Sequence, residues 1–345
     1  MLHFLVPGDP ATRTGGYGYD RRIVADLRAR GRKVDVHRLG ETFPRPDAVD
    51  LELAADTLRS FDDGALVVID GLAAGAMPGV LARAAERLRL VALVHHPLAL
   101  ETGLDRREAK RLRESEREAL RHVRRVIATS EATERTLATD YGVPAARIAV
   151  VTPGTDPAPL ARGSSNGSLA LLCVGAIVPR KGHDVLLDAL EPLPDHAWRL
   201  ACVGSLVRDR DWADGLLRRV HGGALAGRVT FTGELDDDAL GAHYAAADAF
   251  VLATHHEGYG MAFTEALARG LPVIGTNAGA VPDTVPEEAG LLVEPGDAPA
   301  LREVLSRFLE DGNLRAALGA GARRARRTLP TWADAAARFD AALPR

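Results

Sequence analysis

The chain is short of several residue types, and each shortage excludes something. Two cysteines in 345 residues, Cys173 and Cys202, rule out a disulfide scaffold. Each stands inside an apolar run, LALLCVGA and WRLACVGS, and reads as a buried strand residue in a reducing compartment. No window holds 18 uninterrupted apolar residues, so no membrane-spanning helix is expected. The first apolar stretch, LHFLVPG, is too short for a secretion signal and has no basic segment before it, which makes a cytoplasmic location the expectation. The net charge of −4 is no footprint for nucleic acid. Repeats and low-complexity tracts are absent. Only three of the 43 cations are lysines, Lys33, Lys110 and Lys181, so a lysine at a strand end draws notice. What remains, 46% hydrophobic and 26% charged, is an ordinary globular composition. At roughly 100–200 residues per domain the length fits two domains.

Short apolar runs alternate with helical periodicity. Strands are expected near 2–6, 33–37, 65–70, 90–95, 124–128 and 147–152, with helices between them. Residues 153–168, PGTDPAPLARGSSNGS, have a linker composition. The alternation then restarts, with strands near 169–175, 198–204, 228–231, 249–253, 272–275 and 290–293. A last helix near 331–342 follows Pro330, with Thr331 as its N-cap. The pattern predicts α/β architecture: two Rossmann-like, doubly wound parallel-sheet domains facing across a cleft. Their expected bounds are 1–160 and 161–328, with the helix of 329–345 packing back toward the first domain. Ligands of such sheets bind beyond the carboxyl ends of the strands.

Four segments there carry candidate chemistry. TGGYGYD (14–20) reads as a glycine-rich loop before a helix, with Gly15, Gly16 and Gly18 giving a ligand access to the backbone. Arg21 breaks the dinucleotide fingerprint G-x-G-x-x-G, and a plain βα turn is the alternative. His95 and His96 end a strand, where imidazole can donate to a sugar hydroxyl or meet a developing charge; hydrogen-bonded loop histidines are the alternative. Arg180 and Lys181, between a strand and a helix, suit a diphosphate, or else are solvated loop charges. In HHEGYGMAFTEALARG, Glu257 precedes Gly258 and Gly260, and Glu265 lies in the following helix. Free amides of Gly260, Met261 and Ala262 beside two carboxylates suit a ligand both phosphorylated and polyhydroxylated.

This last segment resembles the donor-binding signature of family 4 retaining glycosyltransferases, the "glycosyl transferases group 1" of GT-B fold. The resemblance runs along nearly the whole chain in order: TGGYGYD, HHP, TSEATERTL (129–137), PGTDP (153–157), VPRKGHDVLLDAL and Glu257…Glu265. It implies a sugar transfer from a nucleotide-diphosphate donor (a UDP-, GDP- or ADP-sugar) to a hydroxyl of an unidentified acceptor, with retention. It further implies that Glu265 holds the ribose and Glu257 the transferred sugar. The amides of Gly258, Tyr259, Gly260, Met261 and Ala262 would lie on sugar and phosphate. Arg180 and Lys181, beside Gly175, would neutralise the departing diphosphate. Gly16, with Gly15 next to it, would lie against the phosphates. His95 would touch the sugar near the reacting carbon, with His96 as second candidate and Glu101 as a further acceptor or sugar contact. Two departures stand out: Ala176 follows Gly175 where the family often has arginine, and Gly154 replaces the asparagine of the family's PNGVD junction.

In this reading the site needs no cofactor and no metal. The Asp236–Asp238 run begins a helix and reads as an acidic N-terminal cap. Other readings stay open: a nucleotide-sugar epimerase, a phosphorylase, or a non-catalytic nucleotide-sugar binder, which Ala176 alone supports. Residues 106–125 form a basic stretch with an apolar stripe of Leu112, Ala119, Leu120 and Val123. A solvated helix packed by that stripe is the preferred reading, and weak peripheral contact with the inner membrane face the second. The oligomeric state is left open.

Overall fold

The computed structural model describes residues 1–101, 103–165, 167–194 and 198–344; Thr102 and Asn166, within the HHPLALETG and linker segments, lie outside the described residues. The chain divides into two compact units, Met1–Gly154 together with Pro330–Arg345, and Thr155–Leu329.

The first unit contains β1 (Leu2–Pro7), α1 (Gly15–Ala29), β2 (Val34–Leu39), α2 (Ala48–Arg59), β3 (Leu66–Asp70), α3 (Gly71–Ala74), α4 (Pro78–Ala84), β4 (Arg89–Val94), α5 (Arg106–Ala119), β5 (Arg125–Ala128), α6 (Glu131–Thr139) and β6 (Ile148–Val150). The second contains β7 (Leu169–Val174), α7 (His183–Leu190), β8 (Trp198–Val203), α8 (Arg210–Gly222), β9 (Val229–Gly233), α9 (Asp237–Ala246), β10 (Ala249–Leu252), α10 (Met261–Ala268), β11 (Val273–Thr276), α11 (Val281–Thr284), β12 (Gly290–Val293), α12 (Ala298–Glu310) and α13 (Gly312–Ala325). The last helix, α14 (Trp332–Ala342), belongs to the first unit.

Each unit holds a six-stranded parallel sheet, ordered β2-β1-β3-β4-β5-β6 and β12-β11-β10-β7-β8-β9. The central strands read as continuous apolar runs, as strands buried on both faces do: β3 and β10 are buried at every position, whereas the edge strand β2 (VDVHRL) is partly exposed. Polar N-caps start many of the helices, among them Thr14, Asp105, Ser130, Asp236 and Thr331, whose side chains accept first-turn amides. The core of the second unit centres on Trp198, Tyr244, Phe250, Phe263 and Phe308. Cys173 and Cys202 are buried, free and paired in register across β7 and β8. The described residues contain no helix long and apolar enough to cross a membrane.

Both sheets reverse direction once. From β1 the chain runs outward to β2, then crosses to β3 on the other side of β1. From β7 it runs to β8 and β9, then crosses to β10. At such a switch the loops leaving two neighbouring strands part in opposite directions and leave a crevice above the strand ends. Three of the four candidate segments leave β1, β7 and β10 at the β1/β3 and β7/β10 switch points, and the fourth, His95–His96, leaves β4 beside β3.

The structure corrects two local expectations and gives the detail of a third. Residues 14–20 are no loop: Thr14 caps α1, and Gly15, Gly16 and Gly18 lie in its first turn or just beyond. The basic helix stops at Ala119, so the stripe residues Leu120 and Val123 are buried beyond its end. Arg180 and Lys181 sit on a short 3-10 turn, Pro179–Lys181, ahead of α7. As expected, α14 starts at Thr331, in a capping box with Asp334. It lays Trp332 against Tyr19 and Phe339 against Phe4, at ring separations of 5.9 and 6.3 Å. Burying a side chain the size of Phe339 contributes about 1.5–3 kcal/mol.

Candidate active site

In the second unit, β7 and β10 are neighbours, so the segments leaving them meet. Lys181 Nζ lies 2.6 Å from Glu257 Oε1, and Arg180 Nη1 lies 3.7 Å from the same oxygen. All three side chains are at most 15% exposed. Arg180 also donates to the His256 carbonyl at 2.7 Å. The hydroxyl of Thr254 and the amide of His255 both donate to the Arg180 carbonyl, tying the turn to the β10–α10 loop. Gly175 lies against the Lys181 stem, where a β-carbon would come within 3.2 Å. Burial alone would raise the Glu257 carboxyl, but Lys181 and Arg180 outweigh it and hold it below the usual range. Two buried cations gathered at one strand end suit a diphosphate.

The β10–α10 loop continues through Gly258 and Tyr259 to Gly260, which takes a left-handed φ of +91° as the N-cap of α10 and supplies no side chain to cap it. The first amides of that helix, at Met261 and Ala262, therefore have no capping oxygen from Gly260. Tyr259 is pushed up to about 12 by burial, and its carbonyl accepts from Thr284. One turn into α10, Glu265 accepts from the Tyr244 hydroxyl at 3.0 Å. Arg269 lies over the Tyr244 ring at 4.2 Å and donates to the Glu265 carbonyl. Burial raises the Glu265 carboxyl against the pull of Tyr244 and Arg269.

In the first unit, His95 follows β4. Its Nε2 lies 3.2 Å from Asp20 of α1 and 3.3 Å from Asp70 at the end of β3. Gly16 packs on the imidazole: a β-carbon there would meet His95 Cδ2 at 3.2 Å. Gly15 has nothing within 4 Å of such a position. His96 is paired with Glu101 at 3.6 Å.

Asp20 and Asp70 escaped the sequence reading. Asp20 closes the quoted TGGYGYD segment and Asp70 ends the apolar run ALVVID, so the signal was an acid at a strand end and another in the first helix after a strand. A second omission is Glu116 of α5, which is 1% exposed and accepts from the Leu98 amide at 2.9 Å. Burial pushes it up to about 8. The Asp236–Asp238 run does begin a helix, with Asp236 accepting from the Ala239 amide.

Two family models match the chain: "Glycosyltransferase Family 4" over residues 17–159 and "Glycosyl transferases group 1" over residues 161–325. A "GDP-mannose-dependent alpha-(1-6)-phosphatidylinositol monomannoside mannosyltransferase" of Mycolicibacterium smegmatis is 31% identical over 275 residues, 72% of this chain and 68% of that one. A protein of the same name from Mycobacterium tuberculosis is 32% identical over 234 residues, 62% of this chain. There the match spans 58% of the relative's length, less than two thirds of it. Sucrose-phosphate synthase from Thermosynechococcus elongatus has the same fold, with a TM-score of 0.81 at 24% identity over 99% of this chain and 97% of that one.

Proposed function

The chain belongs to the family 4 glycosyltransferases and has the two parallel sheets of their GT-B architecture, and from that premise we propose that it moves a sugar from a nucleotide-diphosphate donor to an acceptor hydroxyl with retention of configuration and without a metal. The observation that carries the reading is the meeting of Arg180, Lys181 and Glu257 at the β7/β10 switch point, next to the start of α10. In this reading the diphosphate displaces or shares Glu257 as the partner of the two cations, and Glu257 turns to a hydroxyl of the sugar. Glu265, already accepting from one hydroxyl, holds the ribose. Gly258 to Ala262 offer amides to sugar and phosphate, and His95 touches the sugar. Gly16 lies against the phosphates.

The bond from anomeric carbon to diphosphate breaks through an oxocarbenium-like state. Negative charge grows on the departing oxygen, and preorganised cations and amides stabilise it more than they stabilise the bound donor. The acceptor oxygen attacks from the face the diphosphate leaves, and its proton ends on the diphosphate oxygen. GDP-mannose is the first donor to test, because the relatives just described are named for it.

The test is turnover of radiolabelled GDP-mannose, UDP-glucose and ADP-glucose, with and without added hydroxyl acceptors and in the presence of EDTA. The expected result is transfer from one donor, undiminished by EDTA, with a product whose anomeric proton coupling matches that of the donor. Inverted product overturns retention, and a complete loss in EDTA restored by Mg²⁺ overturns the metal-free reading. Ala176, in place of a further cation, is the one feature that favours a non-catalytic binder. Donor binding with no turnover under any condition supports that second reading.

A further inference from the structure

Two buried carboxylates meet a single imidazole nitrogen in the first unit, and the function proposed above assigns a role to neither. Asp20 is 3% exposed and Asp70 1%. Both reach the same atom, His95 Nε2, at 3.2 and 3.3 Å. Asp70 is anchored, its other oxygen accepting the Leu72 amide at 2.7 Å. The second oxygen of Asp20 is buried and no donor reaches it. Carboxylates accept and do not donate when ionised, so the proton between these groups belongs on Nε2. Nδ1 makes no hydrogen bond among the described residues.

One carboxylate behind an imidazole orients the ring and leaves it free to gain and lose a proton near neutral pH. Two carboxylates on one nitrogen, away from water, favour the charged ring far more strongly. We propose that Asp20 and Asp70 are positioning residues that keep His95 an imidazolium with its Nε2 proton committed to them, so that toward the transferred sugar the ring is a fixed cation and hydrogen-bond donor and does not serve as a base. The proposal rests on the reading that His95 touches the sugar.

The surroundings agree. Burial works against a charged imidazole here, yet Asp20 first and then Asp70 outweigh it and raise His95 to about 10. Asp20 is itself raised to about 7 by burial, against the pull of His95 and with Asp70 adding to the rise. From α1, Tyr19 meets the His95 ring edge-on at 5.4 Å, and its phenol stays neutral, donating to the Val151 carbonyl. The hydroxyls of Thr129 and Thr133 approach the His95 carbonyl and carry no charge. His96 faces Glu101.

A ring that is already doubly protonated has no lone pair for the acceptor's proton. The proton lost by the attacking hydroxyl must then go to another atom as the new carbon–oxygen bond forms and the old one breaks. The oxygen of the departing diphosphate takes it, along with the electron pair of the broken bond. A His95 held by Asp20 and Asp70 thus excludes the route in which histidine activates the acceptor from the opposite face and inverts the sugar.

The test reads the ring directly. The full chain, labelled with ¹⁵N-histidine and free of donor, is titrated from pH 6 to 10 by long-range ¹H–¹⁵N spectroscopy. The His95 signal is assigned by its loss in His95→Gln. Both ring nitrogens are expected to remain protonated at pH 8. Asp20→Asn and Asp70→Asn should each lower the titration midpoint by at least one pH unit, and Asp20→Glu should restore much of it. The alkaline limb of kcat against pH should move with the midpoint. A neutral His95 ring at pH 8 in the unsubstituted protein overturns the proposal, even if the variants do not fold. An unmoved midpoint in both folded variants overturns it as well. The titration needs no substrate, so its failure leaves the glycosyltransferase reading standing, and lack of turnover with a charged ring counts against that reading alone.

Discussion

Lys181 Nζ and Glu257 Oε1 stand 2.6 Å apart although the two residues are 76 positions apart in the chain. The contact exists because β10 returns to pair with β7 on the side opposite β8, which sets the two outgoing loops side by side. Arg180 shares the same oxygen at 3.7 Å. Two buried cations on one carboxylate oxygen make this the place in the second unit where the proposed diphosphate would find its charge partners.

If Lys181 stabilises the departing diphosphate, its removal costs more in the transition state than in the ground state. Lys181→Ala should lower kcat by roughly 10²–10³, with a smaller change in donor affinity. Arg180→Ala should be of similar severity, because Ala176 supplies no further cation. Steady-state transfer by each variant, checked for folding by its melting temperature, reads the effect. Near-normal kcat in folded Lys181→Ala would move the role to another cation.

Glu265 faces Tyr244 on α9 and lies in the second turn of α10. Glu265→Ala should weaken nucleotide binding by about 1–3 kcal/mol, the range for losing a charged hydrogen-bond partner. Calorimetry with GDP and UDP measures it. An unchanged affinity in a folded variant removes the ribose assignment.

Gly16 lies inside α1, so alanine there favours the helix by about 1 kcal/mol or less in propensity. Its β-carbon, however, would press on His95 Cδ2 from 3.2 Å. Gly16→Ala should leave the melting temperature within a few degrees of normal while lowering kcat by roughly tenfold or more, as displaced reacting groups do. Full activity would show that the His95 ring position is not critical.

Glu116 gives a pH prediction. In the folded chain its carboxyl keeps its proton up to about pH 8, against an ordinary value of 4.5. Between those values the folded state binds the extra proton, so the contribution of this group to stability is fully present below about pH 4.5 and falls as pH rises toward 8. The slope is at most about 1.4 kcal/mol per pH unit. Glu116→Gln keeps an acceptor for the Leu98 amide and removes the titration. Its melting temperature, measured against the unsubstituted protein, should gain steadily from pH 5 to pH 8. Parallel curves would show that Glu116 ionises in place without cost.

The alternation of elements was legible because parallel strands buried on both faces leave unbroken apolar runs, and the helices between them keep a 3.6-residue stripe. Each of the strands described has a counterpart in the sequence reading, with ends shifted by a residue or two. The start of α1 was misread because glycines weaken a helix locally, and only the Thr14 cap and packing on His95 show why they are tolerated there. Single-segment signals, such as Arg180–Lys181 and Glu257 to Glu265, could be named from the chain alone, since residue type and local spacing carry them. Which groups face each other could not. Asp20, Asp70 and His95 lie on three segments, and no local spacing relates them. They converge because the sheet order puts β3 between β1 and β4, so the helix after β1 and the ends of the other two strands share one crevice. Sequence by itself determined which residues could bear charge at a strand end. Strand order decided their partners, because hydrogen-bonded pairing of strands distant in the chain sets which loops become neighbours, and burial among those neighbours decides which charges survive.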